Sequence, residues 1–244
     1  VRGGCSSSES GVLNGSLEEQ RRKIADRSRS LSSVWVLAEC YKGNTGFCNR
    51  FSRNAQGQVV GLNRSLGNRG RLETDGADLG VLYRMPETDF GRFVLRSTSS
   101  YVHKWDEQSD PSVPADSRVG WYSHWKWRNN TTVDWQWRTF GASWTVRYFS
   151  GLKENCRYDD ECNQPDYVSP VTGATPRRRV GAIAFNDLNL HWDTPWNARI
   201  SVGANNIFDR EPPIMYAAKS LGAPPVNPAY DIDRFWYVSY QQNF

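Results

Sequence analysis

The residues best suited to metal or acid–base chemistry are three histidines, His103, His124 and His191, and they stand far apart in the chain. They are isolated from one another, so they predict separate positions rather than an iron or zinc centre. His124 with Ser123 or Asp116 is the only grouping that could serve a hydrolase. A nucleophile elbow, a phosphate-binding loop, a dinucleotide fingerprint and an H-E-x-x-H helix are all absent from the sequence. Asp159, Asp160 and Glu161 in CRYDDEC read as a solvated acidic loop before they read as a cation site. Arg177, Arg178 and Arg179 form either a collar for anionic lipid or a plain polar edge. Trp121, Trp125 and Trp127 fit equally a ligand platform, stacking on a sugar or an aromatic ligand, and an aromatic girdle. The chemistry points to binding, not catalysis: no enzyme, no cofactor and no metal is expected.

These side chains need elements to hold them, and the bulk numbers narrow the choice. The 244 residues carry a net charge of +4, too small and too scattered for a nucleic-acid partner. Mean hydropathy is -0.68, and no apolar run is long enough for a membrane-spanning helix. That test does not reach transmembrane barrels, whose strands turn every second residue to a polar lumen. The 13% aromatic content suits the girdles of such barrels, and it also suits a secreted all-β carbohydrate-binding module. Cys40 with Cys48, and Cys156 with Cys162, are expected as local disulfides pinching two polar loops in an oxidising compartment. Cys5 is left over.

Residues 1–39 are expected to be an atypical leader, helical or disordered. Ser16–Glu19 forms a capping box, and EEQRRKIADRSRS follows with a thin apolar stripe. From about residue 46 the period is two. Val133, Trp135 and Trp137 alternate with Asp134, Gln136 and Arg138, and after a short turn Ala142, Trp144, Val146 and Tyr148 alternate with polar residues. The same two-faced pattern recurs over 71–85, 90–105, 184–192, 198–207 and 234–244. Inward charges are expected at Asp78, Arg84, Arg96, Asp134, Arg138, Arg147, Asp187 and Arg199.

Connections are short at 54–57, 86–89, 139–141 and 193–197, and long at 106–128, 152–180 and 208–233. Tight turns on one rim and long loops on the other are the outer-membrane arrangement. A Greek-key sandwich would distribute its loops less regularly. About nine strands fit between residue 46 and the end of the chain, against roughly 22 in the plugged transporters.

Three stretches then carry a resemblance. ISVGANNIFDREPP (200–213) followed by AYDIDRFWYVSYQQNF (229–244) resembles the C-terminal signature of TonB-dependent receptors, through Asn205, Asn206, Ile207, Phe208, Asp209, Pro212, Pro213, Tyr230, Asp231, Arg234 and Phe244. CNRFSRNAQGQVVGLNRSLGNRGRLETDGADLGVLYRMP and ASWTVRYFSG are similar to family segments in the same order. The matches cover roughly residues 40–244.

The resemblance implies an all-β fold: an antiparallel transmembrane β-barrel portion, about nine strands of a roughly 22-stranded barrel, with short periplasmic turns and long extracellular loops. It implies a bacterial outer-membrane location and import of a small-molecule or oligosaccharide substrate, such as a siderophore, a cofactor or a saccharide. Implied partners are outer-membrane lipid and lipopolysaccharide, and the barrel-assembly machinery, which would read Trp236, Val238, Tyr240 and Phe244 as a closing strand. The TonB complex would be engaged only through a missing N-terminal part, since neither plug nor TonB-engaging box is recognisable. The chain is therefore expected to be a truncated fragment of a receptor.

Overall fold

A computed structural model describes residues 12–29, 31–65, 67–108, 110–111, 113–121, 124–153, 179–214, 226–231 and 233–242. Among these described residues, thirteen strands and two short helices follow one another along the chain. The strands of the main sheet are β1 (Val12–Arg29), β4 (Gly67–Arg84), β5 (Arg92–Gln108), β7 (Trp127–Trp137), β8 (Phe140–Phe149), β11 (Ile183–Asp193), β12 (Ala198–Asn205) and β13 (Phe235–Gln242). They lie side by side in that order, with the short β6 (Asp116–Ser117) paired to β5. The ladders from β5 to β13 are antiparallel. β2 (Phe51–Arg53) with β3 (Val59–Leu62), and β9 (Leu152–Lys153) with β10 (Arg179–Val180), form two separate hairpin-sized sheets.

Short turns close one end of the main strands. Between β7 and β8 the turn is Arg138–Thr139, with Arg138 at φ 53°. Asn197, at φ 56°, makes the turn between β11 and β12, where the Thr194 hydroxyl both receives the Ala198 amide and donates to its carbonyl. Gly91, at φ 104°, closes the β4–β5 turn, and a Cβ there would collide with the Gln136 carbonyl oxygen. Only glycine meets both demands. The turn at 54–57 belongs elsewhere. It joins β2 to β3, outside the main sheet, because Asn54 folds back to accept the Gln56 and Gln58 amides.

The N-terminal segment departs from the expected helix or disorder. Val12–Arg29 is a strand next to β4, and Gln20 donates to Asp78 while Lys23 pairs with Glu73 at 3.4 Å. Cross-strand pairing satisfies a run of backbone groups that a marginal, charged helix would leave to water, so tertiary context overrides the capping box. The true helix start lies at Ser32, whose hydroxyl accepts the Trp35 amide and caps α1 (Ser33–Tyr41).

The described residues divide into two compact units. One comprises 21–75 and 104–118. In it α1, α2 (Thr45–Cys48) and the β2–β3 hairpin enclose Leu31, Val36 and Phe47, with Trp35 edge-on to Phe47 at 4.9 Å. The expected Cys40–Cys48 disulfide joins the two helices. The other unit holds β7 to β13 and the parts of β1, β4 and β5 outside those ranges, and its core is Trp125, Phe149, Leu152, Ile183, Phe185 and Tyr230. Cys5, Cys156, Cys162 and the carboxylates of CRYDDEC lie outside the described residues, as does Phe244.

Candidate functional site

Register converts the sequence alternation into continuous rows across the sheet. Phe93, Trp135, Ala142, Leu190, Val202 and Val238 are successive Cα partners from β5 to β13. Leu95, Val133, Trp144, Leu188, Ala204 and Trp236 form the next row, and Trp137, Phe140, Trp192, Ile200 and Tyr240 a third. All share one face, and much of it lies open: Trp236, Val238 and Tyr240 are 59%, 77% and 60% exposed. A large contiguous apolar surface of this kind is a docking face or a lipid face.

Its height separates these two. On β7 the outward side chains run from Trp127 through Asn129, Thr131, Val133 and Trp135 to Trp137, and Asn129 and Thr131 form a polar patch with Ser97 and Ser99 of β5. The two aromatic ends are about 34 Å apart along the strand, and at the ~40° tilt of such barrels that gives about 25 Å, the spacing of the two aromatic girdles, with apolar side chains filling the Val133–Trp137 half. Tyr101 and Tyr148 accompany Trp127 at one edge, and Phe140 and Trp192 accompany Trp137 at the other. Both edges are aromatic, as girdles require.

The opposite face is polar and internally paired. Arg96 bonds to Asp134, which also accepts from Ser143, and Arg199 grips Asp193 through two nitrogens at 2.6 and 2.9 Å. Gln136 and the His191 ring meet at 2.9 Å. Two glycines on this face make room for rings. A Cβ on Gly141 would collide with the His191 imidazole, and one on Gly203 would run into the Tyr237 ring. Tyr237 in turn accepts the Asn189 amide at 3.1 Å. Of the inward charges expected as a solvated wall, Asp78, Arg96, Asp134, Arg147, Asp187 and Arg199 are tied into cross-strand pairs, while Arg138 lies in the β7–β8 turn over the Trp137 ring.

At the long-loop end of the polar face, the residues of the C-terminal signature fasten the β12–β13 connection. Asn206, fully buried at φ 51°, bonds both the amide and the carbonyl of Arg210. Asp209, at φ 54°, accepts the Arg234 amide at 3.0 Å. Asn and Asp tolerate this left-handed backbone and bond locally, so the motif punctuates the end of a strand as its composition suggests. Tyr230 is buried among Trp125, Phe149 and Phe185, and its hydroxyl accepts the Trp125 indole N–H at 3.0 Å. Asp231 reaches Arg147, which Asp187 holds through Nε at 2.7 Å and Nη2 at 3.0 Å. The Arg147 guanidinium lies over the Phe185 ring, and Asp187 also accepts the Asn206 amide.

The three candidate contact tryptophans are not brought together. Trp125 is a core residue, Trp127 opens the outward face of β7, and Trp121 forms an isolated bridge with Lys153. Of the closing-strand residues, Trp236, Val238 and Tyr240 point outward together on β13. Of the candidate hydrolase grouping, Ser123 lies outside the described residues. Arg147 and its two carboxylates are legible in the sequence only as separate charges, because Asp231 lies 84 positions from Arg147 in the chain.

A two-faced antiparallel sheet with an outward face between aromatic edges, short turns at one end and long connections at the other has the architecture of an outer-membrane β-barrel wall. Its solved counterparts are siderophore receptors. The ferric enterobactin receptor PfeA of Pseudomonas aeruginosa superposes with a TM-score of 0.56 at 16% identity, over 93% of this chain and 28% of that one. The siderophore receptor PirA of Acinetobacter baumannii gives 0.55 at 15% identity, over 93% and 29%. The chain therefore has the fold of a barrel portion of such receptors and spans less than a third of their length. No family model and no curated protein matches the sequence.

Proposed function

We propose that this chain is part of an outer-membrane receptor that imports a small nutrient, and that the nutrient is a ferric siderophore. The observation that carries this is the outward band between Trp127 and Trp137, backed by a paired polar wall of the kind a transporter lumen has. The substrate class is taken from the receptors with which the chain shares its fold, ahead of a vitamin-like cofactor or a saccharide. The strands of the main sheet, β1 included, are the barrel portion in this proposal, and energy would come from TonB acting on the receptor as a whole. Binding and passage are assigned, and no bond-making chemistry. A secreted carbohydrate-binding module is not favoured, because that fold would bury its apolar face on a second sheet rather than display it.

The test is uptake. In iron-limited cells, deletion of the gene should abolish import of at least one radiolabelled ferric siderophore and leave import of a corrinoid and an oligosaccharide unchanged. Loss of saccharide or corrinoid import instead would reassign the substrate. Unchanged uptake of all three would refute an import role.

A further inference from the structure

We propose that the outward face of β5 and β7 carries a site for a phosphorylated lipid with amide-linked, hydroxyl-bearing acyl chains, the chemistry of the lipid A part of lipopolysaccharide. The site rests on the reading that this face meets a bilayer, and it does not depend on what the receptor imports. Its basis is the order of side chains along the two strands. From the short-turn end towards the long-loop end, successive cross-strand pairs are Leu95 with Val133, Ser97 with Thr131, Ser99 with Asn129 and Tyr101 with Trp127. Neighbouring pairs stand about 7 Å apart along the strands. Beyond Trp127, the Lys126 ammonium lies over the Tyr101 ring at 5.8 Å, and no carboxylate pairs with it among the described residues. An apolar level, a polar level and a ring level with a free cation thus follow one another. An acylated, phosphorylated lipid carries its chains, its linkages and its phosphate in that order.

The hydrogen bonds of the polar level select the linkage. The Asn129 amide donates to Ser97 Oγ at 3.0 Å and to Ser99 Oγ at 2.6 Å, and Thr131 donates to Asn129 Oδ1 at 2.8 Å. The Thr131 proton is thereby spent, so in the 2.8 Å contact between Ser97 and Thr131 the donor is Ser97. One hydroxyl proton is left over, that of Ser99, and Asn129 Oδ1 keeps a second lone pair. An unspent O–H is costly against hydrocarbon. A donor and an acceptor side by side are answered by an amide or a hydroxyacyl group, which offers both, whereas an ester offers an acceptor alone. The four short side chains stand between Leu95 and Val133 below and the rings of Tyr101 and Trp127 above, with Tyr148 against Trp127 at 5.3 Å. A gap so bounded matches the width of a lipid linkage and not that of a second sheet.

Native mass spectrometry of the full chain folded in detergent micelles tests this, with lipid A, phosphatidylglycerol or phosphatidylcholine added one at a time. Lipid A should be retained as a one-to-one adduct about tenfold more tightly than phosphatidylglycerol, the scale of two ordinary hydrogen bonds. Ser99→Ala and Asn129→Leu should each remove most of that preference. Lys126→Gln should weaken retention of both anionic lipids by about tenfold, the scale of one charge-assisted bond. If Asn129→Leu fails to fold, Ser99→Ala and Lys126→Gln decide. Equal retention of all three lipids overturns the site, and so does wild-type binding of lipid A by Ser99→Ala and Lys126→Gln. Phosphatidylglycerol retained as tightly as lipid A overturns the selection by linkage, and a lipid-free dimer dissociated by Asn129→Leu would give the patch to a second copy. A chain that stays soluble without detergent or lipid overturns the membrane reading and the site with it.

Discussion

At the scale of single residues, small side chains decide where large ones can sit. Gly203 has Tyr237 across it and the Leu188 carbonyl oxygen 2.9 Å from where its Cβ would be. Gly203→Val should therefore destabilise the folded chain by about 1–3 kcal/mol, the usual cost of overpacking a filled site. Urea titration of the detergent-folded protein, followed by tryptophan fluorescence, measures it. The double variant with Tyr237→Ala should recover part of the loss, because the ring is one of the two obstacles and the backbone oxygen is the other. Neither contact is legible in the sequence. GANN reads as a strand end, and nothing in VSYQQNF announces that the tyrosine preceding it lies across a glycine of the neighbouring strand. Asn206 and Asp209 are legible in kind, because their types already favour a left-handed turn.

Elements follow the same logic, with pattern strength deciding what can be read. The β7–β8 hairpin alternates cleanly over 132–138 and 142–148, so its two faces are evident there from the sequence alone. Trp144 and Thr145 are neighbours on β8 that fall on opposite faces. Trp144→Arg should cost about 2–4 kcal/mol in a bilayer, while Thr145→Arg, on the polar face near Asp187, should cost under about 1 kcal/mol. Denaturant titration in lipid vesicles compares them. Equal costs would mean that the apolar face does not meet lipid.

The strand β1 is not legible, because LEEQRRKIADRSR has charges at both parities and no period of two. What makes it a strand is the edge of β4 beside it and partners such as Asp78 and Glu73, at distances no local rule reaches. The disulfide-linked helices show the opposite case. Spacing points to the Cys40–Cys48 bond, but the helices around it come from packing on Phe47. Cys40→Ser should weaken that cluster by about 2–3 kcal/mol, the chain-entropy value for so short a loop. Faster hydrogen exchange over 33–48, with β7 and β8 unaffected, is the expected readout.

For the whole molecule, the two-faced sheet is what the proposed function rests on. Its apolar rows would be an aggregation hazard in water, and under that proposal they anchor the chain in a bilayer. The barrel wall is legible from alternation and loop lengths together. The substrate is not, since the proposed one is taken from receptors that share the fold and not from a residue pattern. The most direct measurement is partitioning of the full chain, refolded with and without lipid vesicles and then floated on a density gradient. The chain should float with the vesicles, resist carbonate extraction and precipitate or aggregate when lipid and detergent are both withheld. A chain that stays monomeric and soluble without either would contradict a membrane-spanning wall.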